Sequence, residues 1–207
     1  MMKVYCAGPL FNHKEREEMA EIAQSLESEG FDVFLPQRDG IELAVCVETL
    51  VENGLDRPRA SDLLSRAIFA LDVYQVLEAC DALVINLNGR VPDEGAVAEA
   101  AMAWRAGKAL AAYKADVRTA FKGYDNPLVA GLFDFKTSST IDDLVASLKS
   151  ELEKSPPAVR ESDRKKETKH WLEFGERIWN IIRRSGDNGE LVAALMEELN
   201  IAASLPA

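Results

Sequence analysis

Four short apolar runs alternate with amphipathic segments along most of the chain. The apolar runs are typical of buried strands and lie at 3–7, 31–35, 82–87 and 109–113. Strands that alternate with helices pair in parallel, with helices on both faces of the sheet. We therefore predict an α/β fold, a small doubly wound domain over residues 1–154. Apolar residues at helical spacing predict its helices at 14–29, 61–80 with Ser61-Asp62 as the cap, 94–106 and 141–154.

The chain after residue 154 has a different pattern. Residues 155–168 contain two consecutive prolines and then a charge-dense stretch, which indicates a linker. Two apolar stripes at helical spacing within 169–207, separated by Gly186-Asp187-Asn188-Gly189, predict a C-terminal helical hairpin. Two helices bury little apolar surface alone, so we expect the hairpin to dock on the α/β domain or on another subunit. Segments 40–59 and 114–136 are predicted to be loops, the first with some helix.

Composition narrows the class of protein. The chain has 207 residues, of which 47% are hydrophobic, enough for a packed core. Its net charge of −11 disfavours general electrostatic binding to nucleic acid or to an anionic membrane. Three widely spaced cysteines and two histidines indicate neither a disulfide framework nor a metal site. No run approaches the ~18 apolar residues of a membrane span, and the N-terminus lacks a signal-peptide layout, which predicts a cytoplasmic protein.

The residues that follow each predicted strand are candidates for a site, because ligands of open parallel sheets bind outside the carboxyl ends of the strands. Glycines, carboxylates and amides occur there. Neither Gly-x-Gly-x-x-Gly nor Gly-Lys-Ser/Thr is present, so the dinucleotide and P-loop fingerprints are absent. The candidates are Gly8 and Pro9 after the first strand, Gln37 after the second and Asp93 after the third.

Glu99 is the most informative single residue. None of its helical neighbours three and four positions away is a cation, so no local salt bridge accounts for it. It lies among small residues, on a helix face that can approach other backbones closely. A carboxylate buried there is costly unless it is hydrogen-bonded or used in chemistry, and one that faces a ligand cleft can act as a nucleophile. Periodicity alone leaves open that Glu99 points into solvent.

Three further residues have a structural and a functional interpretation. Asp93 directly precedes a predicted helix, where an aspartate acts as a cap without any other function. Asp72 lies in the helix before the third strand and, taken alone, is a surface charge. Tyr5 lies within the first strand, where tyrosine is most often a core residue. The local sequence leaves these alternatives open.

The order and spacing of these pieces resemble one family, the nucleoside 2-deoxyribosyltransferases. No single piece is specific, but their joint arrangement over about residues 3–150 is. The segments that carry the resemblance are Tyr5-Cys6-Ala7-Gly8-Pro9-Leu10-Phe11, Pro36-Gln37-Arg38-Asp39-Gly40, Asp72, Cys80-Asp81-Ala82-Leu83-Val84, Asp93-Glu94-Gly95, Glu99, Gly107-Lys108 and Asn126-Pro127-Leu128.

The resemblance implies a flavodoxin-like fold and cleavage of the N-glycosidic bond of 2′-deoxyribonucleosides. Glu99 falls on the position of the family's nucleophile. It would form a covalent 2-deoxyribosyl ester, from which a second purine or pyrimidine base takes the sugar. Asp72 matches a carboxylate that contacts the base and helps to protonate it. Asp93 matches a residue that binds the sugar hydroxyls.

Supporting positions and partners also follow from the resemblance. Tyr5 would orient the nucleophile, and Gly8, Pro9 and Gln37 would belong to the substrate-binding surface. Asn126 matches an asparagine that reaches the 5′-hydroxyl in the site of a neighbouring subunit, which implies a homo-oligomer. The implied partners are small-molecule deoxynucleosides and free nucleobases, and no metal or organic cofactor is expected.

Two other functions stay open. A hydrolase of 2′-deoxynucleoside 5′-monophosphates would use the same glutamate and let water accept the sugar. Asp93 at the 5′ end of the sugar disfavours this activity, because its negative charge would repel a phosphate. The other is a non-catalytic module in which the cleft senses a nucleotide and the C-terminal hairpin signals to a partner.

Overall fold

The four apolar runs form one parallel sheet. The computed structural model describes residues 1–89, 91–119, 125–154, 166–185 and 188–202. Within them the strand order is β2-β1-β3-β4, and each neighbouring pair is parallel. The α/β fold, the four strands and their parallel pairing are thus confirmed. The strands are β1 (Lys3–Ala7), β2 (Asp32–Phe34), β3 (Ala82–Asn86) and β4 (Ala109–Tyr113).

Helices fill the intervals between the strands and the C-terminal part of the chain. The predicted helices at 14–29, 94–106 and 141–154 are confirmed with ends shifted by a residue or two, and two C-terminal helices are present. The described helices are α1 (His13–Ser28), α2 (Pro36–Asp39), α3 (Leu43–Glu52), α4 (Arg57–Tyr74), α5 (Glu94–Arg105), α6 (Pro127–Gly131), α7 (Ile141–Glu153), α8 (Lys166–Ser185) and α9 (Asn188–Ala202), and a π-helical turn follows α4 at Gln75–Ala79.

The predicted start of α4 is wrong. The helix begins at Arg57 rather than at Ser61-Asp62, and the Asp56 side chain accepts a hydrogen bond from the Arg59 backbone N–H at 3.0 Å. Pro58 falls in the first turn, where a proline removes no intrahelical hydrogen bond. A proline therefore marks the beginning of this helix rather than a break. The preceding segment, predicted as mainly loop, contains the ten-residue helix α3.

One face of the sheet packs on α1 and α7. The first unit of the chain comprises Met1–Asp39 and Gln75–Asp163. A hydrophobic core on this face joins alternate strand residues to the apolar stripes of the two helices, and every member is at most 8% exposed. The core residues are Val4, Cys6, Val33, Leu35, Ala82, Val84, Ala109, Ala111 and Tyr113 from the strands and their ends, Met19, Ile22, Ala23 and Leu26 from α1, and Leu144, Val145 and Leu148 from α7.

The opposite face of the sheet packs on α5. Because Val4 and Cys6 point towards α1 and α7, strand alternation directs Tyr5 to the other face. Helix α5 contacts β1, β3 and β4 there. Three alanines on its inner side, Ala96, Ala100 and Ala103, are at most 1% exposed. Such small side chains let the helix axis lie close to the strands, so even the middle of α5 is near the sheet.

A second unit comprises Gly40–Tyr74 and Arg164–Ala207 and is helical where it is described. Helix α8 packs along α4, while α9 contacts α3, α4 and α8. The Phe69 and Trp171 rings meet edge to face, with centroids 5.1 Å apart. Residues 155–165 of the predicted linker, 186–187 of the predicted hairpin turn and 120–124 of the predicted loop lie outside the described residues.

Gly175 lies at a close approach between α4 and α8. A Cβ atom at this position would lie 2.1 Å from the Ala70 carbonyl oxygen and 2.6 Å from Tyr74 Cβ. Backbone atoms cannot yield as a flexible side chain does, so a larger residue must push the helices apart. We expect Gly175→Ala to lower the free energy of unfolding by about 1–3 kcal/mol, the usual cost of overpacking.

Denaturation followed by circular dichroism measures this loss. Glu176→Ala is the matched control, because it replaces an exposed neighbour in the same helix. A Gly175→Ala variant as stable as the wild type would show that α4 and α8 are not in such close contact.

Candidate functional site

The sheet topology directs attention to the crevice between β1 and β3. From β1 the chain runs through α1 to β2 on one side, whereas β3 pairs with β1 on the other side. The order therefore reverses between β1 and β3, and α/β proteins bind ligands at such a switch point. The loops that flank it are the one after β1, with Gly8 and Pro9, and the one after β3, which leads to Asp93.

Tyr5 and Glu99 meet on the α5 side of this crevice. The Tyr5 hydroxyl donates a hydrogen bond of 2.8 Å to Glu99 Oε1. Tyr5 is fully buried, and its ring stacks on Phe34 with centroids 5.4 Å apart, which restricts its rotation. Glu99 is half-buried. The alternative that Glu99 points into open solvent is therefore wrong, and its carboxylate is held by a strand of the sheet.

Asp93 caps helix α5. Its Oδ2 atom accepts a hydrogen bond of 2.7 Å from the Ala96 backbone N–H, as an aspartate at the N-cap position does. The residue is partly exposed at the end of the β3–α5 loop, so its carboxylate remains accessible. The capping interpretation is thus correct as geometry. It does not exclude a contact with substrate, because one oxygen is enough for the cap.

Asp72 lies near the end of α4, in the second unit, and is half-buried. It is therefore not the fully exposed surface charge that the local sequence allows. Tyr5, Glu99 and Asp93 lie in the first unit. The role of Asp72 as a base contact remains a prediction.

Gly8 and Pro9 shape the end of β1. A Cβ atom on Gly8 would lie 2.4 Å from Met19 Sδ and 3.0 Å from Asn86 Cβ, so this position is packed between α1 and β3. Pro9 is buried. Gly8 and Pro9 therefore contribute to the packing at the end of β1, and their contact with substrate remains a prediction.

Gln37 lies in the short helix α2 and Asn126 directly precedes α6, and both are exposed. The Gln37 amide donates a hydrogen bond of 2.8 Å to the Arg16 carbonyl, which ties α2 to α1. Asn126 caps α6 through a bond of 3.0 Å from the Leu128 N–H. The preceding residue, Asp125, forms an ion pair with Lys114, which is only 7% exposed. This pair anchors the segment of Asn126 to the end of β4.

A polar network on the α1 side of the same sheet edge was not predicted. Asn86, only 1% exposed, donates its amide to Glu18 Oε2 at 2.7 Å. Asn88 donates its amide to Glu18 Oε1 at 2.8 Å. The Asn88 side-chain oxygen accepts from the backbone N–H groups of Ala115 and Asp116, both at 2.9 Å. Three chain segments are thereby joined at one edge of the sheet.

Asp116 extends this network. It accepts from the Gly89 N–H at 3.1 Å and from Arg118 Nε at 2.8 Å. The Arg118 guanidinium holds the pKa of Asp116 well below its usual range, so the carboxylate is ionised at neutral pH. Burial raises the pKa of the nearby Tyr113 phenol, and the charge of Glu18 raises it further. Tyr113 therefore remains neutral at neutral pH.

A cavity of about 420 Å³ opens at this edge, large enough for a small polar ligand. Most of its lining comes from the loops after β1, β3 and β4 and from the first turns of α1. The Tyr5–Glu99 pair does not line it, because that pair lies on the opposite face of the sheet. The lining residues are Pro9, Asn12, Lys14, Glu15, Glu18, Asn88, Gly89, Ala115, Asp116 and Arg118.

Other nucleophiles and metal ligands are poorly supported. Burial raises the pKa of the Cys6, Cys46 and Cys80 thiols, that of Cys80 to about 12, so none is a thiolate at neutral pH. In the described ranges, no group of three or more His, Cys, Asp or Glu side chains is arranged to hold a metal. Within the same ranges, no helix has the length and apolar character needed to cross a bilayer.

Comparison with solved structures supports the fold. A conserved protein from Enterococcus faecalis V583 matches 72% of this chain and 98% of its own, with a TM-score of 0.54 and 23% sequence identity. At that identity the likeness establishes a shared fold alone. A flavodoxin-like arrangement is consistent with this match and with the parallel sheet. No curated protein matches the chain.

The family comparison is more specific. The model of the family described as nucleoside 2-deoxyribosyltransferase matches residues 4–184. The match begins within β1 and includes the other three strands, Tyr5, Asp93 and Glu99, and it extends through most of α8. Since the match covers most of the sequence, this chain belongs to the nucleoside 2-deoxyribosyltransferase family.

Proposed function

We propose that the protein transfers 2-deoxyribose from one nucleobase to another, with Glu99 as the nucleophile. The observation that carries the proposal is the hydrogen bond from the buried Tyr5 hydroxyl to the half-buried Glu99 carboxylate, beside the switch point of the sheet. Family membership supplies the reaction class. The geometry supplies a carboxylate whose position is restricted, which lowers the entropic cost of bringing it to an anomeric carbon.

In the first step, a Glu99 oxygen attacks C1′ of a 2′-deoxyribonucleoside. The bond between C1′ and the base nitrogen breaks, and its electron pair stays with the base. Asp72, in its proposed role, delivers a proton to the departing base. The product is a 2-deoxyribosyl ester of Glu99, reached through an oxocarbenium-like transition state. Absence of the 2′-hydroxyl makes that cation easier to form, which suits a deoxysugar.

In the second step, a nitrogen of another purine or pyrimidine attacks C1′. The ester bond breaks, Glu99 leaves as a carboxylate, and the proton lost by the incoming base returns to Asp72. The Tyr5 hydroxyl supports this departure, because a hydrogen bond to Oε1 stabilises the negative charge that forms there. The two steps are the double displacement of retaining glycosidases with a base in place of water.

The proposed substrate contacts follow the loops around the crevice. Asp93 receives the sugar hydroxyls, and Gln37 contacts the base, with Gly8 and Pro9 forming part of the surface under the ligand. A negatively charged Asp93 next to the 5′ carbon favours nucleosides over nucleotides. The partners are therefore deoxynucleosides and free bases, the reactants of a salvage reaction.

We also propose a homo-oligomer in which Asn126 completes the site of a neighbouring subunit. Support comes from exposed apolar side chains in the segments that follow β1, β3 and β4. Phe11, Val91, Val117 and Leu128 are 75–93% exposed, and Leu128 is close to Asn126 in the chain. Large apolar side chains that are open to water in these segments favour a surface that another protein covers.

The nucleophile assignment predicts that Glu99→Ala abolishes transfer and leaves the fold intact. Incubation of thymidine or deoxyinosine with adenine, followed by chromatography, measures the deoxyadenosine formed. Glu94→Ala is the matched control, an exposed glutamate in the same helix, and should transfer normally. Mass spectrometry of the wild type with donor alone should detect one 2-deoxyribosyl group on Glu99. Near-normal transfer by Glu99→Ala would refute the assignment, and free base without transfer in the wild type would favour a hydrolase.

Two substitutions separate the roles of Asp93. Asp93→Ala removes the cap and should lower the free energy of unfolding by about 1 kcal/mol. Asp93→Asn keeps an equally good capping oxygen, so stability should remain close to that of the wild type. Its use of nucleosides should nevertheless fall by about tenfold or more, because a charge-assisted hydrogen bond is lost. Unchanged kinetics in Asp93→Asn would reduce Asp93 to a cap.

A contribution of Asn126 across an interface predicts complementation between two impaired variants. Asn126→Ser keeps an oxygen that can cap α6 but loses the amide, and Glu99→Ala lacks the nucleophile. In mixed oligomers, an intact Glu99 from one chain meets an intact Asn126 from the other, so co-expression should restore part of the activity. A mixture no more active than its separate components would show that Asn126 serves its own chain or none.

A further inference from the structure

Glu18 lies on the polar side of α1, yet it is not a solvated surface charge. Its side chain is half-buried, and each carboxylate oxygen accepts one amide N–H. The donors are Asn86, at the end of β3, and Asn88, two residues further on. Asn86 is 1% exposed, and a buried amide without a partner would be costly. The Glu18 carboxylate therefore supplies the hydrogen-bond acceptor that the buried Asn86 amide needs at the end of β3.

Asn88 is the centre of the network. Its nitrogen donates to Glu18, its oxygen accepts from the Ala115 and Asp116 N–H groups, and its own N–H donates to Asn86 Oδ1 at 2.9 Å. Each of these Asn88 atoms therefore acts either as a donor or as an acceptor, and its partner requires that role. Rotation of the amide would oppose donors to donors, so this residue can take one orientation.

The network fixes the start of the loop that carries Asp93. Asn88 and Gly89 are the first residues after β3, and both are hydrogen-bonded to the segment after β4. Asp93 closes the same loop as the cap of α5. The loop is therefore held at both ends, by Glu18 from α1 and by the backbone of α5.

We propose that Glu18, Asn86, Asn88 and Asp116 form a latch that positions the β3–α5 loop, and with it Asp93, for sugar transfer. Glu18 is a positioning residue in this scheme, since it acts through Asn88 and touches no reacting atom. The effect on catalysis rests on the proposed function. The latch itself rests only on the hydrogen bonds between the three segments.

The polarity of the latch makes it testable. Two amide nitrogens point at residue 18, which must therefore offer two acceptors, as a carboxylate does and a carboxamide does not. Glu18→Gln leaves one pair of N–H groups facing each other, and Asn88→Asp places two carboxylates face to face. The double variant reverses the bond instead: the glutamine amide donates to the aspartate, and its oxygen still accepts from Asn86.

The experiment compares the wild type, the two single variants and the double variant. Hydrogen exchange of the Asn88, Gly89, Ala115 and Asp116 amides should be faster in both single variants and slow again in the double variant. The value of kcat/KM for deoxynucleosides should fall on the order of tenfold in each single variant, the usual effect of a lost hydrogen bond to a charged group, and recover in the double variant. Glu17→Gln is the matched control, an adjacent exposed glutamate that contacts His13, and should change neither readout.

A further comparison separates positioning from general stability. If Glu18 acts through Asp93, the loss caused by Glu18→Gln should be much smaller in an Asp93→Asn background, because the positioned charge is already gone. Three results would overturn the proposal. The first is that the losses of Glu18→Gln and Asp93→Asn add fully, and the second is that the variant with both Glu18→Gln and Asn88→Asp is as impaired as the worse of these two single variants. The third is a normal kcat/KM in both Glu18→Gln and Asn88→Asp. A wild type that transfers no sugar would refute the proposed function, and the exchange measurements would still decide whether the latch exists.

Discussion

The hydrogen bond between Tyr5 and Glu99 is the contact on which the candidate site depends. It joins the middle of a central strand to the second turn of a helix, and it exists only because α5 lies close to the sheet. The alanines at positions 96, 100 and 103 allow that approach. Packing and chemistry are therefore coupled here. A larger residue on the inner side of α5 would move the Glu99 carboxylate away from the Tyr5 phenol even if it did not touch a substrate.

Most of the fold could be predicted from the sequence because its signals are local. Each strand is a short apolar run, and α1, α5 and α7 have clear apolar stripes. The sequence does not mark the start of α4 clearly, because Asp56 and Pro58 are residue types of loops as well as of helix starts. Helix α3 has only ten residues, and the sequence predicts mainly loop in that segment.

The candidate site was predicted only in part, and the reason differs from residue to residue. Glu99 was recognisable because it lies among small residues and none of the residues three or four positions away in the sequence is a cation. Glu18 was not, because it has neighbours of the same charge on the polar side of α1, and only the tertiary contacts with Asn86 and Asn88 distinguish it. Asp93 shows a third case, since capping a helix and binding a substrate require the same residue type at the same place.

The interleaving of the two units has a consequence for synthesis on the ribosome. Helices α3 and α4 emerge between β2 and β3, but α8, the helix that covers α4, is translated only after the whole sheet. The parallel sheet can be complete while the apolar side of α4 is still without its cover. During that interval the nascent chain exposes the apolar surface of α4, which is prone to aggregation, so we expect chaperones to bind there.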